Sequence, residues 1–125
     1  MPPLPTDAEL EILAALWRRG PSTVREVHQE MGKQSAYTTT LKQMQVMTQK
    51  GLLQRSERFG SHVYKASDTQ EETQQQIAGD VLKRAFGGSA RSLLLGALKA
   101  QPASDAELAD IRKLLSDFEK KRKSR

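Results

Sequence analysis

Cysteine is absent from the 125-residue chain. That excludes disulfides, thiolate zinc sites, iron–sulfur clusters and cysteine nucleophiles. Aromatic residues make up only 5% of the sequence and hydrophobic residues 37%, which is lean for a self-contained globule of this size. Part of the core is therefore expected to be completed by a second copy of the chain. Long apolar runs are also missing, since none approaches the roughly 18 residues that span a bilayer. The opening MPPLPTDAELEI has no basic segment followed by an apolar one, so no secretory signal is read there. A soluble cytoplasmic protein is the expectation.

Negative charge is the scarcer sign. Fifteen Asp and Glu stand against 20 Lys and Arg, for a net charge of +5 and a pI of about 9.7. A basic balance favours an acidic partner such as nucleic acid or a membrane surface. The two histidines, His28 and His62, have no ligand spacing around them, and no metal or other cofactor is implied. No catalytic set appears either. Ser92, Ser104 and the carboxylates fall at expected helix starts, where capping accounts for them, and Gly87-Gly88 lacks the flanking strand of a phosphate loop. The chain does not read as an enzyme.

What is present is a succession of helix signals. Thr6 with Glu9 forms a capping box, placing a helix start near Asp7. Leu10, Leu13, Leu16 and Trp17 then recur at helical spacing up to Gly20-Pro21. Trp17 reads as core. Ser22 and Thr23 signal a second start, with Val24, Val27 and Met31 as its apolar stripe and Gly32 as its stop. Ser35 is the expected N-cap of a third helix over residues 36–50, which Gly51 ends. The pattern then turns extended. Residues 52–58 fit a strand, Phe59-Gly60-Ser61 a turn, and residues 62–66 a return strand.

Residues 67–74 are polar and read as a linker or an early helix turn. Ile77, Val81, Leu82 and Phe86 mark a fourth helix, broken by Gly87-Gly88. Residues 92–100 read as a short apolar helix. Ser104 and Glu107 are a further capping box, opening an amphipathic helix with Leu108, Ile111, Leu114, Leu115 and Phe118 that runs to about Lys121. The final KKRKSR reads as a frayed basic tail. No internal repeat is present.

The third helix carries the functional signal. At about 100° per residue, Tyr37, Thr40, Leu41, Met44, Met47 and Thr48 share a core face. The opposite arc holds Thr38, Thr39, Lys42, Gln45, Val46 and Gln49, with Gln43 and Lys50 on a flank. Residues 32–56 contain four Lys or Arg and no Asp or Glu. Short hydroxyls, amides and a lysine without carboxylates suit base edges and phosphates. The N-terminal half of such a helix reads bases, which selects Thr38, Thr39 and Lys42. Ser35 lies where a helix start favours phosphate. The expected hairpin adds Arg55, Arg58 and His62 around Gly60 as a basic tip for a DNA backbone or minor groove. An ordinary solvated helix face and a charged edge strand are the competing readings.

Three helices and a hairpin give a mostly α winged helix-turn-helix with a small β-hairpin wing, followed by a helical region. Residues 1–67 carry a net +3 and residues 68–125 a net +2. The first segment reads as the DNA-binding domain. The second, with three short helices, reads as a dimerisation region with a basic C-terminal tail. Its expected contacts are Ile77, Val81, Leu94, Leu98, Leu108, Ile111, Leu115 and Phe118.

The segments TDAELEILAALW, STVREVHQEM, AYTTTLKQMQVMTQKGLL and GSHVYKA resemble the first helix, second helix, recognition helix with the start of the wing, and returning wing strand of the penicillinase-repressor family. The resemblance covers nearly the whole chain. It implies a homodimeric winged-helix repressor of transcription that binds a dyad operator of double-stranded DNA through its N-terminal domains and pairs through its C-terminal helices. It also implies a membrane-bound sensor metalloprotease as a partner, because many members leave DNA on C-terminal cleavage. Ungapped alignment puts that cut near Gly96-Ala97, where better-known members carry a larger, more polar pair. Copper-responsive relatives use a cysteine hook that this chain lacks. The recognition positions differ from those of the known repressors. The alternative function is a winged-helix protein-interaction module without specific DNA binding. An RNA-binding regulator is weaker, because Phe59 is the single plausible stacking aromatic.

Overall fold

The computed structural model describes residues 3–32 and 36–124. The elements in chain order are α1 (Asp7–Arg19), α2 (Val24–Met31), α3 (Tyr37–Lys50), β1 (Leu53–Arg58), β2 (Ser61–Ala66), α4 (Gln70–Phe86), α5 (Ala90–Ala100) and α6 (Asp105–Lys123). Three helices lead into a two-stranded antiparallel hairpin, and three more helices follow. This is the winged-helix order that the sequence predicts. The chain divides into two compact units, Met1–Gly79 and Asp80–Arg125, with the division inside α4.

The first helices start where side chains can satisfy orphan amides. Thr6 Oγ1 accepts from the Glu9 amide, and a Glu9 carboxylate oxygen accepts from the Thr6 amide. Thr23 and Glu26 repeat this reciprocal box at α2. Thr23 alone is the cap there. Ser22 is buried and pairs with the hairpin instead, exchanging backbone hydrogen bonds of 2.9 and 2.8 Å with Tyr64. That bridge ties β2 to the α1–α2 connection. The N-cap of α3 is Ala36, with no side-chain bond, so the expected cap is displaced by one residue. Ser35 itself lies outside the described residues.

Most of the core comes from alternation and helical spacing in Met1–Gly79. Ile12, Leu13, Ala15 and Leu16 of α1 meet Val24, Val27, Met44, Met47, Leu52, Leu53 and Tyr64. Trp17 packs against this cluster, and its indole N–H donates to the Asp68 carbonyl at 3.1 Å. Thr40, expected on the core face, is buried, and its hydroxyl meets His28 Nδ1 at 2.8 Å. Tyr37 departs from that face. It sits in the first turn of α3 with 37% of its surface exposed. Its ring meets the Arg25 guanidinium at 5.3 Å and the His28 ring edge-on at 6.0 Å.

Several boundaries shift for identifiable reasons. Leu52 belongs to the α3 exit, where its amide donates to Met47 O, and β1 begins at Leu53. Ser61 is the first residue of β2 and pairs with Arg58. The polar stretch 67–74 is mostly helix, because Thr69 and Glu72 form a third reciprocal box that starts α4 at Gln70. Ser89, not Ser92, caps α5: its hydroxyl accepts from the Ser92 amide. At α6 Ser104 Oγ accepts from the Glu107 amide, which is one half of the expected capping box. The basic stretch beyond Lys120 is helical through Lys123, because cations suit a helix C-terminus. With 17 residues in α4 and 19 in α6, two of the last three helices are not short.

Candidate nucleic-acid interface

The outward face of α3 follows from the helix period. With Thr40, Met44 and Met47 buried, the residues about half a turn away must face solvent. Thr38, Thr39, Lys42, Gln45 and Gln49 are all exposed, and Val46 is 37% exposed. The exposed set carries no carboxylate. Gly51 ends the helix in the left-handed region at φ 87, and its amide reaches Met47 O and Thr48 O. A glycine suits that conformation because it has no Cβ to clash.

A hollow lies on either side of this ridge. One, of about 450 Å³, is lined by Thr38, Thr39, Lys42 and Val46 of α3 with Thr6 and Glu9 at the start of α1. The other, of about 460 Å³, has Gln45 and Tyr37 of α3 on one wall and Arg25 of α2 on another, with Arg55 and His62 from the hairpin. The structure thus brings Arg55 and His62 to α3. Arg58 is parted from them. Arg55 opposes Tyr64 and Glu57 opposes His62, so these four share one face of the hairpin, whereas Arg58 opposes Ser61 on the other face. Lys65, which pairs with Gln54, lies on the Arg58 side. The basic residues of the wing therefore clothe both faces instead of forming a single tip.

Ion pairing sorts the cations of this unit. Arg18 binds Glu30 at 3.1 Å, and Arg19 reaches Glu26 at 3.2 Å and Glu30 at 3.7 Å, linking α1 to α2. Lys50 binds Glu9 at 2.8 Å. Among the described residues, no ion pair involves Arg25, Lys42, Arg55, Arg58 or Lys65. Among the described residues of this unit, the uncompensated positive charge is thereby concentrated on the α2 start, the outward face of α3 and the hairpin.

Glu9 is a carboxylate that lines the hollow beside the ridge, and it is neutralised in place. Burial by itself would raise the Glu9 carboxyl. The Lys50 ammonium and the Thr6 amide outweigh that and hold it below the ordinary carboxylate value. The Glu26 and Glu72 carboxyls are also lowered, chiefly by hydrogen bonds from the backbone amides of Thr23 and Thr69. Lys50, placed on the flank of the reading face by sequence, is committed to Glu9.

Arg25 and Tyr37 are the residues that the helical wheel overlooks. Arg25 stands in the first turn of α2 and meets Tyr37 at the start of α3 across space, which the helical spacing of α3 alone does not describe. Phe59 at the hairpin tip is 97% exposed. No group of His, Asp and Glu among the described residues could hold a metal ion, and no helix is long and apolar enough to cross a membrane.

The expected dimer contacts are distributed unevenly. Ile77, Val81, Leu94, Leu98, Leu108 and Ile111 are half-buried within the single chain. Leu115 is 50% exposed and Phe118 65%. Leu95 and Leu114, outside the expected set, are also exposed at 44% and 55%. Gly96 lies in the middle of α5, where an added Cβ would stand 3.4 Å from the Phe86 ring, in ordinary contact with it.

The chain matches the family described as penicillinase repressor over residues 5–117. No curated protein matches it. It is similar in fold to a MarR family protein from Bacillus stearothermophilus, with a TM-score of 0.51 at 21% identity. The match covers 95% of this chain and 76% of that one.

Proposed function

Because the chain belongs to the penicillinase repressor family, we propose that it is a sequence-specific DNA-binding repressor that acts as a homodimer on a dyad operator. In this reading residues 1–67 are the DNA-binding domain and residues 68–125 the dimerisation region. One observation carries it: the ridge of Thr38, Thr39, Lys42, Gln45 and Gln49 is exposed and itself free of carboxylates, and Arg25 and Arg55 beside it are in no ion pair among the described residues. A ridge between two hollows suits a duplex. The helix enters a major groove about 12 Å wide while the two phosphate backbones run along its flanks.

The roles follow from reach and chemistry. Thr38, Thr39 and Lys42 meet base edges, with the threonine methyls available to thymine and the lysine to guanine or phosphate. Gln45 and Gln49 meet bases or backbone further along. Arg55 and His62 hold the backbone strand that passes between α3 and the hairpin, and Arg58 meets phosphate from the other face. Arg25 and Lys65 join them by position and charge. Ser35 remains a proposed phosphate contact.

Homodimerisation is supported by the exposed Leu95, Leu114, Leu115 and Phe118, since a soluble chain covers large apolar patches with a partner. Ile77, Val81, Leu94, Leu98, Leu108 and Ile111 complete the proposed contact set. Derepression by a membrane-bound sensor protease cutting at Gly96-Ala97 requires α5 to open first, because that bond lies inside a helix. Selection of binding fragments from random duplex DNA tests the reading. Recovery of a two-fold symmetric consensus supports it, and recovery of no consensus overturns it.

A further inference from the structure

Phe59 is held in a position that neither the hairpin nor the core explains. It is 97% exposed, the most exposed of the large hydrophobic side chains among the described residues. It also has a φ of 51, as the single described non-glycine residue with positive φ. Arg58 pairs with Ser61, so Phe59 and Gly60 form a two-residue loop, and Gly60 has φ 78. Two positive φ values in succession are the pattern of a type I′ turn, where Asn, Asp or Gly is favoured. A bulky aromatic ring in the left-handed region is disfavoured by its own Cβ, and its exposure gains nothing from burial. Residues that break local preference without internal compensation concentrate where a protein meets its ligand.

The surroundings say which ligand. Residues 53–66 carry Arg55, Arg58 and Lys65 against Glu57 alone, and none of these cations is in an ion pair among the described residues. The ring therefore projects from a hydrogen-bonded, positively charged finger. One wall of that finger, with Arg55 and His62, faces the ridge of α3. A single ring is too small to anchor a protein interface, whereas it fits the partial gap between two base pairs.

We propose that Phe59 is an apolar wedge that the wing inserts from the minor groove against a deformable pyrimidine–purine step. This inference rests on the DNA-binding reading above and assigns the wing a share in sequence preference. Apolar side chains placed this way unstack a step and bend the duplex. Steps such as TA and CA yield most readily, so the preference is set by deformability, not by hydrogen bonds. The wedge displaces no counterions, so its share of the affinity is independent of salt. Contacts from Arg58, by contrast, carry salt dependence.

The test uses the full-length protein and the duplex that selection recovers. F59N creates the Asn-Gly pair that a type I′ loop prefers, so this variant is expected to melt no lower than the parent. Its duplex affinity is expected to fall about ten-fold, the order of one stacking contact, with the log–log salt slope unchanged. R58A is expected to make the slope shallower. If F59N binds as tightly as the parent, the wedge is overturned while the repressor reading stands. If the parent binds no duplex, the repressor reading itself fails. In F59W, tryptophan emission is expected to shift to the blue on addition of the duplex. A shift produced by anionic lipid vesicles and not by the duplex assigns the tip to a membrane surface and overturns the proposal.

Discussion

The two compact units solve the packing problem differently. Among the described residues, Met1–Gly79 contains every buried hydrophobic residue, from Ile12 to Tyr64. Asp80–Arg125 contains no buried one among its described residues, yet it presents Leu95, Leu114, Leu115 and Phe118 at 44–65% exposure. The first unit closes its core by combining helices with a hairpin anchored through Ser22 and Tyr64. The second has helical caps and amphipathic spacing without a closed interior. Apolar residues in the two units are thus under different obligations: in the first they hold the fold, and in the second they await a surface. The proposed homodimer supplies that surface.

The largest effect that separates the units should come from equivalent truncations. Ile12→Ala removes a fully buried side chain and is expected to destabilise the first unit by about 2–5 kcal/mol. This should appear in chemical denaturation at any protein concentration. Leu114→Ala is expected to change the stability of the single chain by less than about 0.5 kcal/mol and to weaken self-association in sedimentation. Equal losses of stability from both changes would erase the contrast.

The cations should divide in the same way. Lys42→Ala, on the outward face of α3, is expected to reduce operator affinity by about 1–3 kcal/mol if it reads a base. Lys121→Ala, in the basic end of α6, should leave affinity at moderate salt nearly unchanged. Titration of the two variants side by side measures this, and a larger loss from Lys121→Ala would place the DNA surface on the wrong unit.

A smaller effect should be an acid sensitivity of the first unit. Glu9, Glu26 and Glu72 all have lowered carboxyl values, and all lie in Met1–Gly79. A carboxyl whose value is lowered by folding contributes stability that is fully present above its unfolded value, near 4.5. That stability is lost as pH falls through the folded value. Lys50→Met removes the Glu9 partner and should destabilise by about 1–2 kcal/mol near neutral pH, since Lys50 is partly exposed. The difference from the parent should shrink as pH falls below that point, in melting curves recorded across the acid range. A constant difference would remove the ion pair from the account.

Sequence patterns made the winged helix readable because its signals are local. Thr6 with Glu9 marked the start of α1 to the residue, and the spacing of Thr40, Met44 and Met47 identified the buried side of α3. Signals that depended on a neighbouring element were less legible. Thr69 with Glu72 is a capping box, but the apolar stripe that draws attention to a helix begins later, at Ile77. Tyr37 falls on the apolar arc, yet at the first turn it extends past the core and meets Arg25 and His28. Strand alternation places Arg55 and Arg58 on opposite faces, which the mere clustering of basic residues around Gly60 does not reveal. Which arginines are neutralised was not readable at all. Arg18 and Arg19 find Glu26 and Glu30 only because α1 packs on α2.

The most direct test of the central claim is the salt dependence of binding to the selected duplex. If the paired ridges and hairpins neutralise about 6 phosphates per dimer, the logarithm of affinity should fall against the logarithm of salt concentration with a slope near −5. A slope near zero on that duplex would contradict the account.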